Sequence, residues 1–435
     1  MEIKPFKGFR FDPKAAGDVG KCVAPPFDVI DAALQQQLYD KSEYNIARIT
    51  KGKTEPSDSE HDNQYTRAAE YLQRWIKTGI LKQDTEEVIY AYIQDFQITE
   101  MKYQRLSFIA LTKLEEFGPK VRPHEEVFEK PMTDRLNLKR ATAARFGLVF
   151  MLYEDKQKIA EKIIESIAEQ KPLVDFTFED IRQRLFAITD RSCINAIVKM
   201  MSDKSCIIAD GHHRYTTGLT YSKESANPAA KYQMLSFANI CQDGLKLLAT
   251  HRLVGELRNF NIVKFITNLK KDFNITELSF SSTGGKTAAY QKMITQIQTE
   301  YNNDKNAFGI YGSKDAFYVA VLKNKRAMDS AAPDKSDAWK SLDISVLHKL
   351  VLKKLLGIDE KQLIENGIVE YVKDIPNDIN DSISLVDSGR KQVLFLLNPV
   401  KMQQLQMITA AGERMPHKST YFYPKMYTGL VIQKI

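Results

Sequence analysis

The sequence predicts a mixed α/β (α+β) fold, and three observations carry the prediction. Segments with apolar residues at helical spacing alternate with short β-branched and aromatic runs along the whole chain. Its 435 residues exceed one average domain, so more than one is expected. With 43% hydrophobic and 27% charged residues, the composition is that of a globular protein, not a disordered one.

Up to about Tyr44, Pro5, Gly8, Pro13, Gly17, Gly20, Pro25 and Pro26 keep regular elements short. Residues 31–40 read as a helix with Asp31 as N-cap and Ala33, Leu34 and Leu38 as its apolar stripe. Residues 51–63 are polar, carry Pro56 and read as a loop. A helix over 64–78 follows from Ala68, Tyr71, Leu72 and Trp75. Strands are expected at 88–93 and 104–114, joined as a hairpin near Thr99 and Glu100. Residues 138–144 read as helical and 146–153 as a central strand. Helices are expected over 156–171 and within 183–201, the second leading to a strand that ends at Ile208. Further helices fall at 290–301, 344–356 and 402–410, and strands at 307–311, 317–322, 368–371 and 393–397. No Pro/Gly/Ser-rich linker marks a boundary; the one chosen follows Leu247–Val254 and divides the chain into 1–257 and 258–435.

Lys and Arg exceed Asp and Glu by 62 to 55, a net +7 dispersed along the chain. That balance suits anionic small molecules and gives no basic tract for nucleic acid. The four cysteines form no CxxC pair, which excludes a zinc ribbon and a thioredoxin motif and reads as reduced thiols of a cytoplasmic protein. Met1–Phe6 has no apolar signal core, and no apolar run reaches the roughly 18 residues of a membrane span. The expected partners are a small-molecule substrate and a nucleotide, with oligomeric state open.

The stretch Ile207-Ile208-Ala209-Asp210-Gly211-His212-His213-Arg214-Tyr215 is the most informative. It reads as the end of a buried strand, a glycine turn and a helix start, with Leu219 in the core. Glycine lets backbone N–H groups approach a ligand, and a helix start offers unpaired donors and partial positive charge. With Arg214 these make an anion site, phosphate being the usual anion. The alternative is a turn whose histidines cap locally.

A second constellation is Arg122-Pro123-His124-Glu125-Glu126, where Pro123 stiffens a loop and Glu125 stands as a general base or as a solvated glutamate. The adjacent histidines His212 and His213 point differently and no third ligand is evident, so no metal site is assigned. The third is Arg414-Met415-Pro416-His417-Lys418-Ser419-Thr420-Tyr421-Phe422-Tyr423-Pro424-Lys425, whose aromatics argue against a disordered tail. Ala24–Ile30 reads as a turn, and Thr250-His251-Arg252 as a site-facing pair or a structural ion pair. His61 and His348 read as surface and helix-face residues.

Ala209–Tyr215 resembles the signature of the bacterial family called domain of unknown function 1015, as do Pro123-His124-Glu125, Asp134-Arg135-Leu136 and the Met415–Lys425 segment. The turn is also similar to the phosphate-binding turn of the ParB/sulfiredoxin superfamily, most closely that of the archaeal free serine kinases. His212 stands where sulfiredoxin has its cysteine, so thiol chemistry is not implied. The resemblance implies a ParB/sulfiredoxin-like nucleotide-binding core followed by a second mixed α/β domain. It implies Glu125 as base with His124 and His213 in catalysis, Asp210, Gly211, His212, His213 and Arg214 on the phosphates, and Lys418, Ser419 and Thr420 on the substrate. The implied cofactor is Mg2+ with ATP, ADP or pyrophosphate as donor, held largely by its own phosphates. The implied activity is phosphoryl transfer to or from a small hydroxy compound, free L-serine or O-phosphoserine first. A nucleotide-binding regulatory module and a phosphoserine hydrolase are the alternatives.

Overall fold

Runs of buried β-branched and aromatic residues pair Ile89–Ile98 with Met101–Lys113 as a long antiparallel hairpin, from Tyr90 opposite Ile109 to Ile98 opposite Met101. The turn falls at Thr99, with φ 52°, as the sequence places it. The computed structural model describes residues 1–312, 315–365 and 367–435. It divides into two units, Met1–Lys246 with Phe422–Ile435, and Leu247–Tyr421.

In the first unit the hairpin lies inside a mixed sheet. On one side come Ile181–Ile188 and Val174–Phe178; on the other, Tyr232–Asn239, Val149–Tyr153, Cys206–Asp210 and Val121–Arg122 in that order. Val149–Tyr153 runs parallel to Tyr232–Asn239 and antiparallel to Cys206–Asp210, while Cys206–Asp210 runs parallel to Val121–Arg122. The strands contribute Ile89, Ala91, Ile93, Phe108, Met151, Ile208 and Phe237 to the core on this sheet. Ile164 and Ile197 complete it from the Ile159–Ile167 and Arg191–Met201 helices.

A second core in this unit gathers Leu38, Leu72, Trp75, Leu138 and Phe146 from the Ala32–Lys41, Gln64–Lys77 and Glu129–Thr142 helices and their surroundings. The Leu247–Tyr421 unit carries a six-stranded antiparallel sheet in the order Phe273–Ser279, Ala316–Leu322, Ala307–Tyr311, Val393–Leu397, Thr250–Val254, Val369–Lys373. Met293 and Ile297 of the Thr283–Asn302 helix and Ile379 and Val386 of the Pro376–Asp387 helix join its core.

The helix expected within 183–201 is present as Arg191–Met201, where Asp190 caps it by accepting from the Cys193 N–H, and the strand Ile181–Ile188 precedes it. Two other helices differ from expectation in extent. The helix expected over 156–171 is confined to Ile159–Ile167, and the one expected at 138–144 is the end of Glu129–Thr142. The boundary drawn between 257 and 258 compares with a division after Lys246, because Thr250–Val254 pairs with Val369–Lys373 and Val393–Leu397. Among the described residues no helix is long and apolar enough to cross a membrane, and all four cysteines are free.

Candidate functional site

The Cys206–Asp210 strand leads straight into the His212–Glu224 helix. Its register against Val149–Tyr153 shifts between Ile208 and Asp210, an irregularity of the kind that re-aims a side chain beside a site. Gly211 forms the turn with φ 90°, a left-handed conformation that a side chain disfavours. Among the described residues no side chain caps this helix, so its first-turn N–H groups stay available to an anion.

Arg214 is seated by two glycines. A Cβ on Gly211 would lie 3.0 Å from its Nε, and one on Gly147 would lie 3.1 Å from its Nη1. Nη1 donates to the Leu148 carbonyl, and Nη2 lies 3.5 Å from Asp210 Oδ1. Among the described residues, buried Arg214 Nε has no hydrogen-bond partner.

Asp210 holds a second cation, since Lys425 Nζ donates to its Oδ2 at 2.8 Å. Burial works against the Asp210 charge, but Lys425 and Arg214 outweigh it and hold the carboxyl below its usual range. The arrangement makes Asp210 a carboxylate that orients two cations. Lys425 is delivered by buried Arg105, which donates to the Pro424 carbonyl at 2.5 Å, and by Gln94, whose Nε2 donates to the Lys425 carbonyl at 3.0 Å.

His124, Glu125 and His212 come together in one cluster. Buried His124 donates through Nδ1 to the Ile208 carbonyl at 2.6 Å, which leaves Nε2 with its lone pair, 4.0 Å from Glu125 Oε1. Burial, then His212, push the His124 imidazole down to about 4, so it is neutral at ordinary pH. The His124 backbone N–H donates to His212 Nε2 at 3.2 Å, which puts the His212 proton on Nδ1, 3.4 Å from Glu125 Oε2. Glu125 is thus a part-exposed carboxylate near both rings, and among the described residues His212 Nδ1 makes no hydrogen bond. The three side chains lie close enough to surround an ion, their candidate atoms all within 4.8 Å. They do not fit one in these tautomers, because the His212 nitrogen facing the others carries its proton, and Mg2+ prefers oxygen ligands.

His213 Nε2 accepts from the Phe128 N–H at 3.0 Å and ties the loop after Glu125 to the helix start. Asp134 and Arg135 pair on the Glu129–Thr142 helix, and Arg135 lies 4.1 Å from the Phe27 ring centre. Lys418, Ser419 and Thr420 belong to the other unit. There buried Arg252 donates to the Lys418 and His417 carbonyls at 2.9 and 3.0 Å, and Ser419 donates to the Pro416 carbonyl at 2.5 Å. His251 accepts from the Leu397 N–H at 3.1 Å and lies 3.4 Å from Asp374, while His348, expected on a helix face, is buried against Arg252. Lys425 is the residue that sequence reasoning misses: it stands in the C-terminal motif with no role of its own assigned there.

The sequence matches the family described as "Protein of unknown function (DUF1015)" over residues 3–345. No curated protein matches it. Among solved structures, a free serine kinase mutant in complex with AMP is 13% identical, with 72% of this chain and 87% of that one covered and a TM-score of 0.36. A conserved hypothetical protein from Pyrococcus furiosus is 12% identical, with 75% and 94% covered and a TM-score of 0.34. SbnI with C-terminal truncation from Staphylococcus aureus is 8% identical, with 74% and 86% covered and a TM-score of 0.34. TM-scores this low carry no argument about function.

Proposed function

The chain belongs to the DUF1015 family, and from that premise we propose that it is a phosphotransferase. It moves a phosphoryl group between a nucleotide or pyrophosphate and a small hydroxy compound, free L-serine first among the acceptors. The observation that carries the reading is the position of Glu125 between His212 Nδ1 and His124 Nε2, beside an uncapped helix start. The order of the Pro123-His124-Glu125 and Asp210–Arg214 motifs, similar to that of the free serine kinases, supports the same reading.

An alcohol is a poor nucleophile until a base takes its proton. Glu125 accepts the hydroxyl proton while the oxygen forms a bond to phosphorus. The bond from phosphorus to the donor's bridging oxygen breaks, and that oxygen leaves with the electron pair. His212 Nδ1–H steadies the carboxylate, and neutral His124 adds no competing charge. The N–H groups of the first helical turn and Arg214 receive the phosphoryl oxygens, and Asp210 keeps Arg214 and Lys425 in place. Mg2+ would accompany the donor's phosphates and neutralise part of their charge. A hydrolase acting on phosphoserine is the second reading. Glu125 Oε1 and His124 Nε2, two acceptors 4.0 Å apart, suit the two donors of one water molecule.

Phosphorus NMR tests these readings on the full chain with Mg2+ and L-serine, offered ATP, ADP or pyrophosphate in turn. A parallel sample holds O-phosphoserine with AMP or ADP. A phosphoserine signal, or its loss with nucleotide gain, is the expected result and names the donor. Decay of phosphoserine to inorganic phosphate alone selects the hydrolase. Nucleotide binding with no turnover in any sample overturns both in favour of a regulatory module.

A further inference from the structure

Arg214 also lines a cavity of about 60 Å³, which it shares with Phe27, Arg135, Lys139, Arg145 and Gln233. Four cations therefore face one space. Two have carboxylate partners, Arg135 in Asp134 and Arg214 in Asp210. Lys139 and Arg145 are buried, and among the described residues no carboxylate lies within ion-pair distance of either. Both donate instead to one neutral oxygen, Gln233 Oε1, at 3.2 Å from Lys139 Nζ and 2.9 Å from Arg145 Nε. Arg145 also donates to Gln433 Oε1 and the Ala230 carbonyl, which leaves the Lys139 ammonium as the under-satisfied cation, with one partner for three donors.

Two buried cations sharing one amide oxygen are costly for a fold to keep. Such a cost is tolerated where a ligand supplies the missing anion. The space holds about four or five water molecules by volume, room for one phosphate or carboxylate group. We infer that this cavity is an oxyanion subsite, in which Lys139, Arg145 and Arg214 Nε hold one phosphate or carboxylate group of a ligand. The inference goes beyond the phosphotransferase reading and stands without it, because binding is measured here without turnover. Burial, then Arg145, push Lys139 well below its usual range, and an anion beside it would favour its charged form. The other charged groups facing it are Arg135 on its own helix and Arg214 on the His212–Glu224 helix, with Tyr221 close to Arg145.

The test uses the full chain with sulfate and acetate as probes at matched ionic strength, read by calorimetry and thermal melting. Tighter sulfate assigns the subsite to a phosphate group, and tighter acetate assigns it to a carboxylate. Lys139→Met is expected to raise the melting temperature of the ligand-free protein and to weaken the preferred anion about tenfold or more. A lower melting temperature with unchanged anion affinity would make Lys139 structural and overturn the inference. If the variant does not fold, the wild-type protein decides. Saturable binding of sulfate or acetate is expected there, and binding of neither overturns the assignment.

Discussion

Lys425 Nζ donates to Asp210 Oδ2 at 2.8 Å and joins two residues 215 positions apart in the chain. The pair is largely buried, with the side chains 18% and 15% exposed. Lys425→Met leaves Asp210 with Arg214 as its remaining cation, and breaking a buried pair costs about 3–5 kcal/mol. Adding Asp210→Asn removes the stranded charge, so the double variant is expected to be more stable than the sum of the two single losses. Urea unfolding of the four proteins at pH 7 measures the coupling, and strictly additive losses would mean the pair is worth nothing.

Gly211 and Gly147 separate backbone strain from the seating of Arg214. Gly211→Ala places a side chain at φ 90° and a Cβ 3.0 Å from Arg214 Nε. It is expected to cost about 1–2 kcal/mol of stability and to weaken phosphate binding. Gly147→Ala carries no positive φ, and its Cβ meets Arg214 Nη1 at 3.1 Å. Its expected effect falls on anion affinity, with stability nearly unchanged. Thermal melting with and without pyrophosphate reads both, and two variants that bind as tightly as the parent would remove Arg214 from the site.

The parts of the site that are legible in the sequence are the local ones. Strand end, glycine turn and helix start lie within a few residues at Cys206–Arg214, and the hairpin turn at Thr99 follows from the runs on either side. The Lys425 pairing is hidden because it depends on Arg105 and Gln94, which come from a distant hairpin and catch the tail through backbone carbonyls. The strand Ile181–Ile188 does not stand out in the sequence because a polar residue, Gln183, occupies a buried position and interrupts the apolar alternation. Its amide oxygen accepts from Tyr92 and Gln94, while among the described residues its amide nitrogen has no partner. The His124–Glu125–His212 cluster needs the parallel pairing of Val121–Arg122 with Cys206–Asp210, a register that composition does not specify.

His124 makes stability depend on pH in a defined window. Its folded value of about 4 lies below the ordinary 6.5, so between these pH values the unfolded chain binds more protons than the folded one. The contribution is full above pH 6.5 and is lost as pH falls toward 4, by about 3 kcal/mol in total. His124→Asn is expected to flatten this limb, since an asparagine does not titrate. Urea midpoints measured from pH 4 to pH 7.5 check it, and an identical slope in the variant would place the titration elsewhere.

Glu125→Gln tests the base directly. Glutamine keeps the size of the side chain and an amide oxygen near His212 Nδ1, but it takes no proton from a hydroxyl. A positioned general base contributes about 10²–10⁴-fold, so turnover is expected to fall by that factor. The helix start, Arg214 and Lys425 are untouched by the change, so nucleotide affinity measured by calorimetry is expected to stay within about twofold. The split between lost turnover and kept binding is the diagnostic result. A variant with full turnover would move the base to another residue. A variant that lost nucleotide affinity as well would make Glu125 part of the binding surface, and the proton of the acceptor hydroxyl would then need a different destination.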